Sequence, residues 1–172
     1  MKIQRIKSRL EFLAHALAIE TEAAERYATF ADQMEVTNNP EVAGLFRKMA
    51  GHESEHARQI EMLAEGQELP HIAPWDYAWG SDNPPEGVDM SDTHYLMTPW
   101  QALTLILEAE QRAVTFFQNI VDSDVDEDTL SLAHEFLEEE QEHVDLIKVW
   151  RDRYPVPESG WDDDPDPPNQ SE

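Results

Sequence analysis

Glu53-Ser54-Glu55-His56 and Glu140-Gln141-Glu142-His143 are two copies of one pattern, Glu-x-x-His. On an α-helix, residues three apart lie on the same side, about one turn from each other. Each pair can therefore aim a carboxylate and an imidazole at one point. The neighbours predict that both pairs face inward. Ala133, Phe136, Ile147 and Trp150 continue the row of Glu140 and His143 in alternating steps of three and four. Val42, Phe46, Met49, Ile60 and Leu63 do the same for Glu53 and His56. This is a buried helix stripe with charged residues where Leu is expected.

Two more helices follow from the same rhythm. Ser8 and Glu11 have capping-box spacing, which starts a helix near Arg9. Its row is Leu13, Leu17, Glu20, Ala24, Tyr27, Ala31, Met34, with Glu20 in the middle. Thr37-Asn38-Asn39-Pro40 reads as a turn, with Asn39 as N-cap and Pro40 at the first helical position. The next helix, 40–65, carries Glu53 and stops at Gly66. Thr98-Pro99 repeats the cap-then-proline signal and opens a helix with the row Leu103, Ile106, Glu110, Ala113, Phe117, Ile120. After an acidic turn at 122–126, a fourth helix covers 127–153.

Residues 66–97 differ in character. They hold Pro70, Pro74, Pro84 and Pro85 and the aromatics Trp75, Tyr77, Trp79 and Tyr95. A connection this long is unusual inside a domain. The aromatics predict that it packs along the outside of the other elements, with a short helical turn near Ser91. From Pro155 onward the chain is acidic and Pro-rich and reads as a disordered tail, with Trp161 its one apolar anchor.

The helices form a repeat: Glu20, Ala23 and Tyr27, then Glu-x-x-His; Glu110, Ala113 and Phe117, then Glu-x-x-His. Two matched hairpins predict an all-α four-helix bundle over 1–154, with a long crossover at 66–97 and the tail at 155–172. The crossover can span a bundle of about 40 Å, which predicts an up-down-down-up order.

Composition narrows the function. The 172 residues carry a net charge of −25 with pI near 4.3, which argues against nucleic acid or anionic membrane as a partner. There is no cysteine, so disulfides, thiolate metal sites and thiol nucleophiles are excluded. The basic N-terminal stretch (Lys2, Arg5, Lys7, Arg9) leads into a run broken by Glu11 and His15, which reads as a helix start and not a signal peptide. No run approaches a membrane span. The expectation is a cytoplasmic protein.

The six inward polar residues are Glu20, Glu53, His56, Glu110, Glu140 and His143. Burying an ionised carboxylate without compensation costs several kcal/mol. Four would rival the ~5–15 kcal/mol stability of a domain. Two divalent cations balance four carboxylates, with the imidazoles binding neutral. Mixed oxygen and nitrogen ligands suit iron, with manganese or zinc as alternatives. The competing reading is a metal-free polar network that fixes bundle register.

With these positions in order, residues 8–153 resemble the ferritin-like superfamily, most closely its rubrerythrin branch. The carrying stretches are Glu20 to Tyr27, Glu53 to His56, Glu110 to Ala113 with Phe117, and Glu140 to His143. The resemblance implies two metal ions per chain, bridged by Glu53 and Glu140. Glu20 and Glu110 would be terminal ligands, with one His on each metal. It also implies a homodimer or higher homo-oligomer. Two departures stand out: no rubredoxin module can form without cysteine, and Ala113 replaces a further carboxylate one turn after Glu110. A bare dimetal site is what the chain can build.

Tyr27 has two readings. Its hydroxyl hydrogen-bonds a ligating Glu or an oxygen species, as the resemblance implies, or it is a packed tyrosine satisfied elsewhere. Glu22, Glu25, Glu55, Glu108, Glu138, Glu139 and Glu142 read as solvated. His15, His71, His94 and His134 lack ligand spacing; His52, one turn before His56, reads as a core or surface residue, with a supporting group behind the metal ligands as the alternative. The functional expectation is a di-iron oxidoreductase of ferroxidase or peroxidase type, oxidising Fe(II) with O2 or H2O2 and re-reduced by an external electron donor. The alternatives are iron storage or delivery without dedicated turnover, and a metal-free interaction module.

Overall fold

Ser8 opens α1 (Arg9–Val36): its hydroxyl accepts from the Glu11 N–H at 3.2 Å. The Glu11 carboxylate reaches back to the Lys7 N–H at 2.9 Å, one residue earlier than a capping box requires. Asn38, at φ 59°, turns the chain into α2 (Pro40–Leu63). α3 (Pro99–Val121) begins with a full capping box between Thr98 and Gln101, and α4 (Glu127–Arg151) is capped by Asp126. The structure, a computed structural model, describes residues 6–79 and 83–163. Lys2 and Arg5 of the expected helix lead-in, and residues 164–172 of the expected tail, lie outside the described residues.

α1 packs along α2 and α3 along α4, giving two helical hairpins. Across them, α2 meets α3 and α1 meets α4. The helix directions follow from three contacts. Arg9, at the start of α1, donates to the Leu63 carbonyl at the end of α2. Arg151, at the end of α4, donates to Thr104 Oγ1 near the start of α3. Asn39, at the start of α2, donates to the carbonyls of Tyr95 (3.3 Å) and Met97 (2.8 Å), just before α3. α2 and α3 thus start at the same end and run parallel, so the order is up-down-down-up. Asn39 sits at the N-cap position but makes no cap bond, because its amide holds the returning crossover instead.

Gly66 ends the α2 turn at φ +78°, a conformation open to glycine. The crossover then climbs along α1 and α3. Tyr77 and Trp79 stack on each other at 4.1 Å and approach the His15 ring edge-on. Trp79 also meets Phe116. Trp75, by contrast, is exposed. Met90–Asp92 forms the short helical turn expected near Ser91. Beyond α4, Trp161 is half-buried against His94. No helix among the described residues is long and apolar enough to cross a membrane.

The buried stripes follow the predicted rows with local shifts. All six positions of the α3 row are buried. On α1 the stripe is wider than predicted: Phe12, Ala16, Ile19, Ala23 and Phe30 are buried, while Leu17 and Ala24 are half-exposed. Leu63, the end of the α2 row, is exposed.

His15 ties the crossover to α1. Its Nδ1 pairs with the Glu11 carbonyl at 2.8 Å, and its Nε2 accepts from the Ala78 N–H at 3.0 Å. That pairing requires the neutral ring. Burial lowers the His15 pKa below 6.5, against the opposing pull of Glu11. Its stabilisation is therefore present above pH 6.5 and is lost as pH falls below it. At pH 7, His15→Phe should cost about 1–3 kcal/mol, from the Ala78 N–H left unpaired. In urea titrations the gap between the variant and the native chain should shrink toward pH 5; a gap independent of pH would contradict this role.

Candidate metal centre

The core is divided in two by a polar layer. One apolar cluster contains Ala23, Met49, Ala109 and Val144; the other contains Ile19, Ile60, Ala113 and Ala133. Each helix passes from one cluster to the other across a single buried glutamate: Glu20, Glu53, Glu110 and Glu140, all at most 3% exposed. The four predicted carboxylates thus meet at one level. The flanking Glu25, Glu55, Glu108, Glu138, Glu139 and Glu142 are exposed and Glu22 partly so, as helix geometry requires.

Both imidazoles turn Nδ1 toward this layer. His56 Nδ1 lies 3.5 Å from Glu20 Oε2 and 3.5 Å from Glu53 Oε2. His143 Nδ1 lies 3.7 Å from Glu110 Oε2 and 3.4 Å from Glu140 Oε2. The two rings stack in parallel, 4.7 Å apart. Glu53 belongs with Glu20 and His56, and also with Glu110; Glu140 belongs with His143, and also with His56 and with Glu20. In each of these groups one ligand atom per residue lies within 4.8 Å of the others.

Glu86 was not foreseen. It lies in the crossover, in a Pro-Pro-Glu-Gly stretch with no helical periodicity to mark it as inward, yet it is 1% exposed. It groups with Glu20 and Glu140 on one side and with Glu53 and Glu110 on the other. The only sequence signal was indirect: Ala113 leaves an inward position without a carboxylate.

These oxygens lack donors. Glu20 Oε2, Glu53 Oε1, Glu140 Oε2 and both oxygens of Glu86 and of Glu110 are buried with no hydrogen-bond partner. The imidazole–carboxylate gaps of 3.4–3.7 Å exceed a normal hydrogen bond. They approach the ~3–3.4 Å between two ligands that each sit about 2.1 Å from one cation. Acceptors without donors, at ligand spacing, fit cations. The carboxylate and histidine groups could therefore hold metal.

Electrostatics agree. Burial, then the neighbouring carboxylates, push Glu20 and Glu86 well above the usual carboxylate range. Burial does the same to Glu110, opposed by His143. For Glu53, burial is outweighed by the adjacent His56 and Glu20, and the net direction is down. Burial would lower His143, but Glu110 and Glu140 push it up to about 10. Without a cation, protons are the counter-ions of this layer.

Access is uneven. Beside His56 a cavity of about 390 Å³ opens between α2 and α4, lined by Glu20, Ile60, Met62, Glu135 and Phe136. Beside His143 the gap is about 10 Å³, closed by Met49, His52, Leu146 and Trp150, room for one water at most. His52 is exposed and meets Trp150 edge-on. The Tyr27 ring is fully buried, and its hydroxyl has no hydrogen-bond partner. Burial, then the charges of Glu110, Glu53 and Glu86, raise its pKa well above 10, so the hydroxyl keeps its proton.

The Rubrerythrin family model matches residues 11–149. Among solved structures, the chain is similar to an uncharacterised conserved protein from Magnetospirillum magnetotacticum MS-1. The two are 37% identical, over 88% of this chain and 98% of that one, with a TM-score of 0.68. No curated protein matches.

The raised acids give the apo protein a distinctive pH response. Above pH 4.5 the folded chain holds protons on Glu20, Glu86 and Glu110 that the unfolded chain has released, and above 6.5 the same holds for His143. Stability must then fall as pH rises. From about pH 7.5 to 9, where His15, His52 and Glu53 have largely released their protons in both states, the apo melting temperature should drop steadily. The metal-loaded protein should not show this drop. Calorimetry of both forms checks it, and a flat apo profile would contradict it.

Proposed function

The chain belongs to the rubrerythrin family, and on that premise we propose that it is a di-iron carboxylate oxidoreductase. In this reading Glu20, Glu53, His56, Glu110, Glu140 and His143 hold two metal ions, and Fe(II) is oxidised by O2 or H2O2. The observation that carries it is the layer of buried carboxylate oxygens without donors, faced by two Nδ1 atoms. When bound, two Fe(II) ions supply one electron each to the oxidant.

The protein's own groups set the conditions. Glu53 and Glu140 each stand close to both halves of the layer, which suits bridging. Glu20 with His56, and Glu110 with His143, complete one end each. The apolar clusters above and below keep water out of the layer. The cavity beside His56 admits a small oxidant. Tyr27 keeps its proton and offers it as a hydrogen-bond donor, next to Glu110, Glu53 and Glu86. No cysteine is available for an internal iron relay, so an external donor returns the electrons. A cytoplasmic homo-oligomer is part of the same reading. Iron storage or delivery is the second reading, favoured by the net charge of −25, which concentrates cations around the chain.

Elemental analysis should find about two metals per chain, as the charge balance requires. Glu53→Ala or Glu140→Ala should lower this to one or none; two coupled irons retained in both variants would refute the ligand set. Anaerobic Fe(II) loading followed by O2 or by H2O2 should give rapid single-turnover oxidation. Continued uptake far beyond two irons per chain would favour storage instead.

A further inference from the structure

We propose that Glu86 is a fifth carboxylate ligand of the metal pair, supplied by the crossover and aimed by Arg26 and Arg112. The inference rests on the dimetal reading above and extends its ligand set to a loop.

The segment around Glu86 is built for close approach. The Gly87 N–H donates to the Pro84 carbonyl at 2.9 Å, closing a tight turn. A Cβ at Gly87 would meet that carbonyl oxygen at 3.0 Å and Asn83 Cβ at 3.1 Å, so a larger residue would need the turn to give by a few tenths of an ångström. Pro84 and Pro85 are buried with Glu86. Two arginines then hold the backbone on either side. Arg112 Nε donates to the Pro85 carbonyl at 2.7 Å, and its Nη2 to the Gly87 carbonyl at 3.4 Å. Arg26 Nη1 donates to the Val88 carbonyl at 3.1 Å, while its Nη2 pairs with Glu22. The guanidinium groups are spent on carbonyls and on Glu22. Neither pairs with the Glu86 carboxylate, whose two oxygens remain without a donor.

A loop glutamate has an easy alternative in solvent. Burying it beside four other carboxylates costs several kcal/mol without a counter-ion. Packing alone gives no reason for that placement. Metal binding does, because among the described residues Glu86 groups both with Glu20 and Glu140 and with Glu53 and Glu110. Ala113, one turn after Glu110 and fully buried, offers no carboxylate of its own to the layer. The crossover delivers from outside what α3 does not deliver from within.

The test is anaerobic Co(II) titration of the full chain, followed by calorimetry and by the cobalt d–d spectrum. The native chain should bind two Co(II). The isosteric Glu86→Gln should bind two at least tenfold more weakly, with an altered spectrum, and its apo form should melt no lower than the native one. Arg112→Gln should weaken binding in the native background but not in the Glu86→Gln background, since its effect passes through Glu86. Metal should slow amide exchange at residues 86–88 in the native chain only. Unchanged affinity and spectrum in Glu86→Gln, or weaker binding with an unchanged spectrum, would overturn the ligand assignment while leaving the dimetal reading intact. A native chain that takes up no Co(II) would sink both.

Discussion

The structure depends on one electrostatic constraint: a sheet of buried carboxylates crosses the core and must be neutralised. Elsewhere the bundle is ordinary, with apolar stripes packed on apolar stripes. At this level, each helix contributes a charge where packing calls for a leucine. The remaining architecture brings four such levels into coincidence. Capping at Ser8, Thr98 and Asp126 fixes where three helices begin. The turn at Asn38 and the clasp from Asn39 to the crossover fix how the hairpins are set against each other. A bundle that loses register by one turn would scatter these charges into the apolar clusters, at several kcal/mol each.

The two broad faces of the bundle are treated differently. On the α1 and α3 side the crossover covers the bundle, with Tyr77 and Trp79 packed against His15 and Phe116 and two arginines fastening residues 85–88 beside the layer. On the α2 and α4 side the two imidazoles remain partly exposed, 18% and 21%. Among the described residues, the space beside His56 is far larger than that beside His143. The near two-fold repeat of the hairpins is therefore broken at the entrance. Chemically equivalent halves face solvent unequally.

The helices and the six inward polar residues were legible because helical periodicity writes burial directly into the sequence. The row on α3 matched at every position. The misses come from places where periodicity carries no information. Leu63 lies in the last turn of α2, where Ala64 rather than Leu63 faces the core, and so is exposed. Asn39 looked like a cap because of its neighbour Pro40, but a long-range demand from Tyr95 and Met97 took its amide. Glu86 stood in a proline-rich loop, where an acidic side chain is normally solvated. Its burial is set by Arg26 and Arg112, sixty and twenty-six residues away in sequence, and no local pattern announces such a contact. The absence of a carboxylate at Ala113 was visible, but not what would fill its place.

The crossover also changes how this scaffold can vary. Side chains fixed on the helices are locked by the packing of the whole bundle, where altering one disturbs its neighbours on every side. A side chain carried by a turn is held by a handful of backbone bonds, and loops tolerate insertion and exchange far better than helices do. The Pro84–Gly87 turn is thus a replaceable cassette. Editing that short tether would alter the charge of the interior and leave the helical frame in place.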